Sequence, residues 1–211
     1  VTIGDCRMRS FTVPRGQWLP ARLYLGIRKP RRAILGMELS GEIEAVGRGV
    51  TRFKPGDAVF ASTFAANFGG YAEYKCMPET GLLAFKPANL TYQEAAAAPG
   101  GGMTAWRCLK QARIQRGQKV LIYGASGAVG TSAVQLAKHH YGADVIAVCS
   151  RANFELVQAI GADRVVLIQD GKVVLQGPAR QVLQDVDTMQ SMGVMPLGIP
   201  RFFKSMGCAE L

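Results

Sequence analysis

Lys119-Val-Leu-Ile-Tyr123 runs directly into Gly124-Ala125-Ser126-Gly127-Ala128-Val129-Gly130, and the fold is decided by how this stretch is read. The short apolar run predicts a strand buried on both faces, as a parallel sheet requires. The residues after it predict a helix over 127–140, with Val129, Ala133, Leu136 and Ala137 at helical spacing on one face. A glycine-rich turn between such a strand and such a helix is suited to hold the pyrophosphate of a dinucleotide. Gly124 and Gly127 let the backbone turn sharply and approach the anion, and Gly130 lets the helix pack closely on the strand. The unpaired N–H groups of the first helical turn then face the phosphate. The candidate cofactor-binding set is therefore Gly124, Ser126, Gly127, Ala128, Val129 and Gly130. Ala125 occupies the first glycine place of the usual G-x-G-x-x-G, which makes the match a variant and leaves an ordinary strand-to-helix turn as the alternative.

Downstream, Ala143-Asp-Val-Ile-Ala-Val-Cys149 predicts the next strand, and residues 154–160 a second helix ending at Gly161. An NAD site usually carries Asp or Glu about 20 residues after the glycines to hold the ribose 2′-hydroxyl. That place reads Cys149-Ser150-Arg151. A hydroxyl and a guanidinium can bind a 2′-phosphate that a carboxylate would repel, so Ser150 and Arg151 favour NADPH over NADH. Upstream, Thr91 and Glu94 have capping-box spacing before an Ala-rich helix. Pro99-Gly-Gly-Gly102 is expected to break that helix, with another following over 103–112.

Before Pro87 the pattern is all-β. Residues 40–47 alternate Glu42 and Glu44 against Ile43 and Ala45, the period of a strand with one wet face. Pro55-Gly56 supplies a turn, a strand is expected over 58–60, and Gly69-Gly70 precedes a second alternating stretch over 71–76. The opening Val1 to Cys6 reads as an extended segment already under way, with the natural N-terminus expected upstream.

With 211 residues, 48% hydrophobic and 19% charged, the chain has the composition of a globular protein, not a disordered one. The net charge of +10 raises the question of nucleic acid. The basic residues are spread along the chain, however, and the single dense run, Arg28-Lys29-Pro30-Arg31-Arg32, lacks interleaved aromatics, so a solvated loop is favoured and no nucleic-acid partner is expected. The five cysteines, Cys6, Cys76, Cys108, Cys149 and Cys208, show no CxxC spacing, which argues against a disulfide framework or zinc ribbon and fits a reducing cytoplasm. No run approaches the ~18 apolar residues needed to span a bilayer, and no signal peptide opens the chain, so no membrane partner is expected.

Five ordered motifs carry a resemblance: Leu35-Gly-Met-Glu-Leu-Ser-Gly41, Phe53-Lys-Pro-Gly-Asp-Ala-Val-Phe60, Gly70-Tyr-Ala-Glu-Tyr74, Thr104-Ala-Trp106 and the Gly124 to Gly130 turn. Their order and spacing closely resemble zinc-independent, quinone oxidoreductase-like medium-chain dehydrogenases/reductases, over residues 1 to about 166. The resemblance implies a partial GroES-like β domain over 1–88, which would hold the substrate. It also implies a truncated Rossmann parallel sheet with helices over 89–166, which would hold NADPH, giving an α/β protein. It further implies hydride transfer to a small-molecule quinone or α,β-unsaturated carbonyl, with a homo-oligomer left open. The Thr104 position falls near the nicotinamide end of the cofactor in such proteins, and Asp5 falls where they carry a polar residue lining the cleft. Zinc relatives carry His at the Met37 position and four grouped cysteines, so no metal is expected. His139 and His140, side by side at a helix end, read as solvated or capping residues.

After Gly161-Ala-Asp163 the resemblance stops. Residues 163–177 read as two strands around Asp170-Gly171, and a short helix is expected over 179–192, forming a hairpin and helix appendage over 167–211. This tail resembles the C-terminal end of the ATP-hydrolysing subunit of cobalt-type energy-coupling transporters. No G-x-x-x-x-G-K-[ST] loop accompanies it, so ATP hydrolysis does not transfer. With family strands missing at both ends, a catalytically incomplete nucleotide-binding fragment is the alternative to an active reductase.

Overall fold

A computed structural model describes residues 3–12, 15–27, 31 and 33–184. Its contacts divide the chain into two units, Val1–Gly100 and Gly101–Leu211.

The first unit opens with a helix, α1 (Ile3–Ser10), where the sequence suggests an extended segment. Charge placement favours the helix. Asp5 lies in the first turn and Arg7 and Arg9 in the last, each complementing the helix dipole, and the Ser10 hydroxyl donates to the Cys6 carbonyl at 2.8 Å. After α2 (Trp18–Leu25) come β1 (Glu38–Glu42), β2 (Ala58–Ser62) and β3 (Leu83–Phe85), an antiparallel sheet in the order β1-β2-β3. β2 alternates as its sequence does, burying Val59 and Ala61. The turn before it forms as expected: Gly56 has φ +86°, the Asp57 N–H donates to the Lys54 carbonyl at 3.2 Å, and the Asp57 carboxylate accepts from the Lys54 N–H at 2.8 Å. That turn also explains why β1 is shorter than residues 40–47 suggest. Ile43 is half-buried between exposed Glu42 and Glu44 and donates to Asp57 at 3.0 Å, but there the partner strand turns away.

Residues 71–76 join no ladder, contrary to their alternating pattern. Their approach to the sheet ends where Gly70 N–H donates to Gly36 at 3.1 Å and Tyr71 N–H to Leu35 at 3.0 Å. Alternation sets faces, but a strand also needs a neighbour for its main-chain groups. The two segments cross at glycines by necessity. A Cβ on Gly36, whose φ is +102°, would lie 2.6 Å from the Tyr71 nitrogen, and one on Gly70 would lie 2.6 Å from the Glu38 carbonyl oxygen.

Helix α3 (Tyr92–Gln111) starts with the expected capping box: Thr91 N–H donates to the Glu94 carboxylate at 2.8 Å, and Glu94 N–H to the Thr91 hydroxyl at 3.2 Å. The Thr91 N–H and, at 2.8 Å, the Thr91 hydroxyl both reach the Glu94 carboxylate and hold it below its ordinary pKa. The helix is not broken at Pro99-Gly-Gly-Gly102 but runs through it. Glu38 reaches from β1 to accept the Gly100 N–H at 2.6 Å, a bond from outside the helix beside Pro99. Gly101 is there for contact, since a Cβ on it would overlap the Ala128 carbonyl oxygen.

In the second unit β4 (Lys119–Tyr123), β5 (Asp144–Ser150) and β6 (Arg164–Gln169) are parallel, and β7 (Lys172–Pro178) adds antiparallel to β6. α4 (Ala128–Gln135) continues as a π turn over Leu136–His140, and α5 (Phe154–Ala159) and α6 (Ala179–Gln184) follow their strands. Val134, Val145, Val157, Val165 and Leu167 are fully enclosed, with Ala105 and Leu109 of α3 in the same core. β4 is not buried on both faces as its composition suggests. Ile122 is buried and Val120 packs against the core, but Leu121 is 61% and Tyr123 78% exposed. β4 ends the sheet, and among the described residues no layer covers that face. Asp170 and Gly171 form the expected two-residue turn, with φ +50° and +75°, joining Gln169 to Lys172. The hairpin is built into the core, burying Leu167 and, beyond it, Ala179 and Val182 of α6. Residues 185–192 of the expected helix, and the tail after them, lie outside the described residues.

Two neighbouring helical glycines should respond oppositely to alanine. Nothing lies within 4 Å of a Cβ on Gly102, so Gly102→Ala should raise stability by about 0.5–1 kcal/mol through the helical preference of alanine. Gly101→Ala should lower it by about 1–3 kcal/mol through overpacking against Ala128. Thermal melts of the two variants beside the parent check the sign of each.

Candidate functional site

The glycine turn joins the C-terminal end of β4 to α4, beside the end of β5. Gly124 takes the left-handed conformation, φ +72°, and its carbonyl accepts the Gly127 N–H at 3.0 Å. Ala125, where the usual pattern has glycine, is wholly buried and donates to the Val148 carbonyl at 3.0 Å, tying the turn to β5. Gly127 is the N-cap, with φ −78° and ψ 168°. The first helical bond runs from Thr131 N–H to the Gly127 carbonyl at 2.8 Å, which leaves the N–H groups of Ala128, Val129 and Gly130 ahead of the intrahelical ladder. Gly124, Gly127, Ala128 and Val129 are exposed, Ser126 is half-buried, and a Cβ on Gly124 would have nothing within 4 Å. An anion can therefore approach this backbone. Helical spacing places Val129 on the core face, but it is 41% exposed, because the helix turns it toward solvent beside the turn. Gly130 is the packing residue: a Cβ there would overlap the Gly124 carbonyl oxygen and come within 2.7 Å of the Ala125 Cα.

Ser150 is exposed at the end of β5, and Arg151 opens a 3-10 turn, Arg151–Asn153. The Ser150 hydroxyl accepts from the Asn153 side-chain amide at 2.9 Å. Asn153 does not stand out in the sequence, although Ser-x-x-Asn at a strand-to-helix junction is a spacing that brings two polar side chains together. Next to them Cys149 is buried, and burial pushes its thiol up to about 11, so it is no nucleophile at neutral pH. Thr104 is exposed on α3, three residues after the Gly101 that abuts Ala128, so its helical turn approaches the start of α4.

Asp5 belongs to the first unit and is 3% exposed. The Tyr71 phenol hydrogen-bonds to it, and desolvation, reinforced by Asp5, pushes the phenol up to about 12. Glu38 completes the group. Burial raises its carboxyl above the ordinary range, against the lowering effect of the Gly100 N–H. The sequence points to Asp5 alone, and only the fold assembles this trio.

Among the described residues no group of three or more His, Cys, Asp or Glu side chains is placed to hold a metal ion, and no helix is long and apolar enough to cross a membrane. His139 and His140 are both exposed, as a solvated role requires, and His140 in addition makes ring contacts. Its ring packs 5.0 Å from that of Trp106 and 4.8 Å, edge to face, from that of Tyr141.

Residues 5–87 match the alcohol dehydrogenase GroES-like domain. The NADPH-dependent alkenal/one oxidoreductase of Arabidopsis thaliana chloroplasts is 35% identical over 141 residues, covering 64% of this chain and 36% of that protein. The solved quinone oxidoreductase of Coxiella burnetii superposes with a TM-score of 0.67 at 30% identity, covering 79% of this chain and 50% of that one. Over these spans the chain is similar to quinone oxidoreductase-like medium-chain dehydrogenases/reductases. It spans half or less of the length of these family members. A separate, smaller match, 41% identical over 56 residues, is to a putative ABC transporter ATP-binding protein of Caldanaerobacter subterraneus, covering 26% of this chain and 10% of that protein. It accords with the transporter-ATPase resemblance of the tail.

Because φ at Gly127 is negative and a Cβ there would meet only the Gly124 carbonyl at 3.4 Å, Gly127→Val should fold with a loss of about 1 kcal/mol or less. The branched side chain would project at the mouth of the turn, so dinucleotide affinity should fall by far more. Melting and cofactor titration on the same variant check both halves.

Proposed function

We propose that the chain binds NADPH through the Gly124 to Gly130 turn and serves hydride transfer to a quinone or α,β-unsaturated carbonyl without zinc. The observation that carries this reading is the exposed glycine turn, whose leading helical N–H groups sit beside the end of β5, where Ser150 and Arg151 replace the carboxylate of an NAD site. In this reading Ala128, Val129 and Gly130 offer N–H donors to the pyrophosphate, and Gly124, Ser126 and Gly127 shape the turn around it. Ser150, oriented by Asn153, and Arg151 take the 2′-phosphate. Thr104 lies toward the nicotinamide end, and Asp5, held by Tyr71, borders the substrate side. NADPH, when bound, supplies the hydride.

The related alkenal oxidoreductase is described as NADPH-dependent, which supports the cofactor choice. Met37, at the place where zinc relatives carry His, supports the zinc-free reading. The domain assignment proposed with it places the substrate domain at 1–88, the cofactor domain at 89–166 and the tail at 167–211, in a cytoplasmic protein.

A second reading is a nucleotide-binding chain without turnover, favoured by the open face of β4 at Leu121 and Tyr123. The two readings separate on one assay. NADPH oxidation dependent on a small naphthoquinone is expected for the reductase, while cofactor binding with no oxidation establishes the second.

NADPH should bind more tightly than NADH, and Arg151→Ala should narrow that gap by about 1.5–3 kcal/mol, the contribution of one charge-assisted contact. Fluorescence titration with both cofactors measures it, and equal affinities in the parent protein would refute the phosphate pocket. Elemental analysis of the purified protein should find no stoichiometric zinc, and one zinc per chain would refute the zinc-free reading.

A further inference from the structure

A dinucleotide held at the Gly124 to Gly130 turn would lie across the carboxyl ends of the parallel strands β4, β5 and β6. The hairpin of β6 and β7 turns at that same end, because β7 runs back against β6 and begins there with Lys172.

Register fixes how near the hairpin comes. Ser150 stands opposite Ile168 across β5 and β6, the turn Asp170-Gly171 follows after Gln169, and Lys172 stands opposite Gln169. Two strand spacings therefore separate the main chains of Ser150 and Lys172, about 10 Å. A lysine side chain and a phosphate group together span such a gap.

The faces of the sheet agree. Cys149 of β5 and Val165 and Leu167 of β6 point into the core that Phe154 and Val157 of α5 close. Gln169, exposed, continues that face beyond the core, and Lys172, its partner across the turn, shares it. The turn Arg151–Asn153 leads into α5 on this side of the sheet.

Charge completes the arrangement. Lys172 is exposed and Arg151 half-buried, and neither forms an ion pair with a described residue. A phosphate monoester carries about two negative charges near neutral pH, enough to engage a cation on each side. Asp170, exposed at the tip of the turn, is the opposing charge.

Given the NADPH reading of Ser150 and Arg151, on which this rests, we propose that the β6–β7 hairpin forms the outer wall of the cofactor site and that Lys172 binds the 2′-phosphate from the side opposite Arg151. The tail is then a working part of the cofactor unit. Preference for NADPH is shared between the strand-to-helix junction after β5 and a residue of the segment that resembles a transporter ATPase.

The test uses the full chain and two ligands that differ only by the 2′-phosphate, adenosine 2′,5′-bisphosphate and adenosine 5′-monophosphate, titrated by calorimetry. The parent protein should bind the bisphosphate more tightly. Lys172→Ala should weaken the bisphosphate about three- to fivefold, the upper range of an exposed ion pair, and leave the monophosphate unchanged. Lys172→Arg, which keeps the charge, should bind both as the parent does. Asp170→Asn should tighten the bisphosphate about twofold, since it removes a like charge while Asn suits the left-handed conformation of that position, φ +50°. Lys119→Ala controls for overall charge: Lys119 is exposed at the amino end of the sheet, opposite Asp144, and its loss should change neither affinity. Bisphosphate affinity unchanged in Lys172→Ala, while Arg151→Ala still lowers it, would overturn the role of the hairpin and leave the NADPH reading standing. Equal weakening of both ligands in Lys172→Ala, or the same loss in Lys119→Ala, would overturn it as an effect of fold or of net charge. Equal affinity of the parent for the two ligands would remove the NADPH reading and the role of Lys172 with it.

Discussion

The second unit depends on how closely α4 can approach the turn that precedes it. With Gly130 at the contact, the helix sits against the Gly124 carbonyl and the Ala125 backbone at distances no side chain allows. Ala125 in turn fills the core and bonds to Val148 of β5. One crossing thus fixes three things together: the direction of α4, the position of its leading N–H groups, and the alignment of β4 with β5. The phosphate-facing surface is a consequence of packing, because the same glycine that lets the helix dock also aims its N-terminus along the sheet's end.

The first unit is assembled by the same physical means. Gly36 and Gly70 let two chain segments cross within bonding distance, and the crossing places Tyr71 over Asp5 and brings Glu38 under α3. Glu38 then accepts the Gly100 N–H beside Pro99. A carboxylate held in a partly desolvated place is costly unless its oxygens find donors, and here one donor is the Gly100 N–H of α3. Phe68 shows the opposite balance. It is wholly buried against Phe64, although this requires the left-handed conformation at φ +59°, so burial of an aromatic ring outweighs a backbone penalty of about 1–2 kcal/mol.

These crossings explain which parts of the fold are legible in the sequence. Strong local chemistry comes through: Thr91 with Glu94, Pro55-Gly56, Asp170-Gly171 and the strand Lys119–Tyr123 all form where their residues indicate. Sequence and structure part where a distant partner decides the outcome. Pro99-Gly-Gly-Gly102 looks like a helix breaker until Glu38, 62 residues before Gly100, and Ala128, beyond the next strand, are seen against it. Residues 71–76 have the period of a strand, and nothing in that period records whether a neighbour is present. At the candidate site the glycines and the Ser150-Arg151 pair are readable because their types are dictated by turn geometry and charge. Asn153 and the Tyr71–Asp5–Glu38 group are not, since each rests on contacts that only the folded chain creates.

Asp163 shows how a tail of different resemblance can share the cofactor unit's core. Its carboxylate accepts the Val145 N–H at 2.8 Å and pairs with Lys138, its own N–H donates to Val145 at 3.0 Å, and its carbonyl accepts from Ala179 at 2.9 Å. One residue thereby ties β5, the end of α4's π turn and the start of α6. The edge of β5 offers only main-chain groups and an apolar face, which many period-two sequences could use, so pairing alone would leave the register of β6 weakly set. The bonds of Asp163 remove that freedom by fixing the residue before β6 to Val145. Once β6 is in register, Val165 and Leu167 face the core, the Asp170-Gly171 turn returns the chain beside it, and Ala179 and Val182 close the layer. The string Ala162-Asp163-Arg164-Val165-Val166 therefore does the joining, and the residues beyond it need only form an apolar hairpin of the right period.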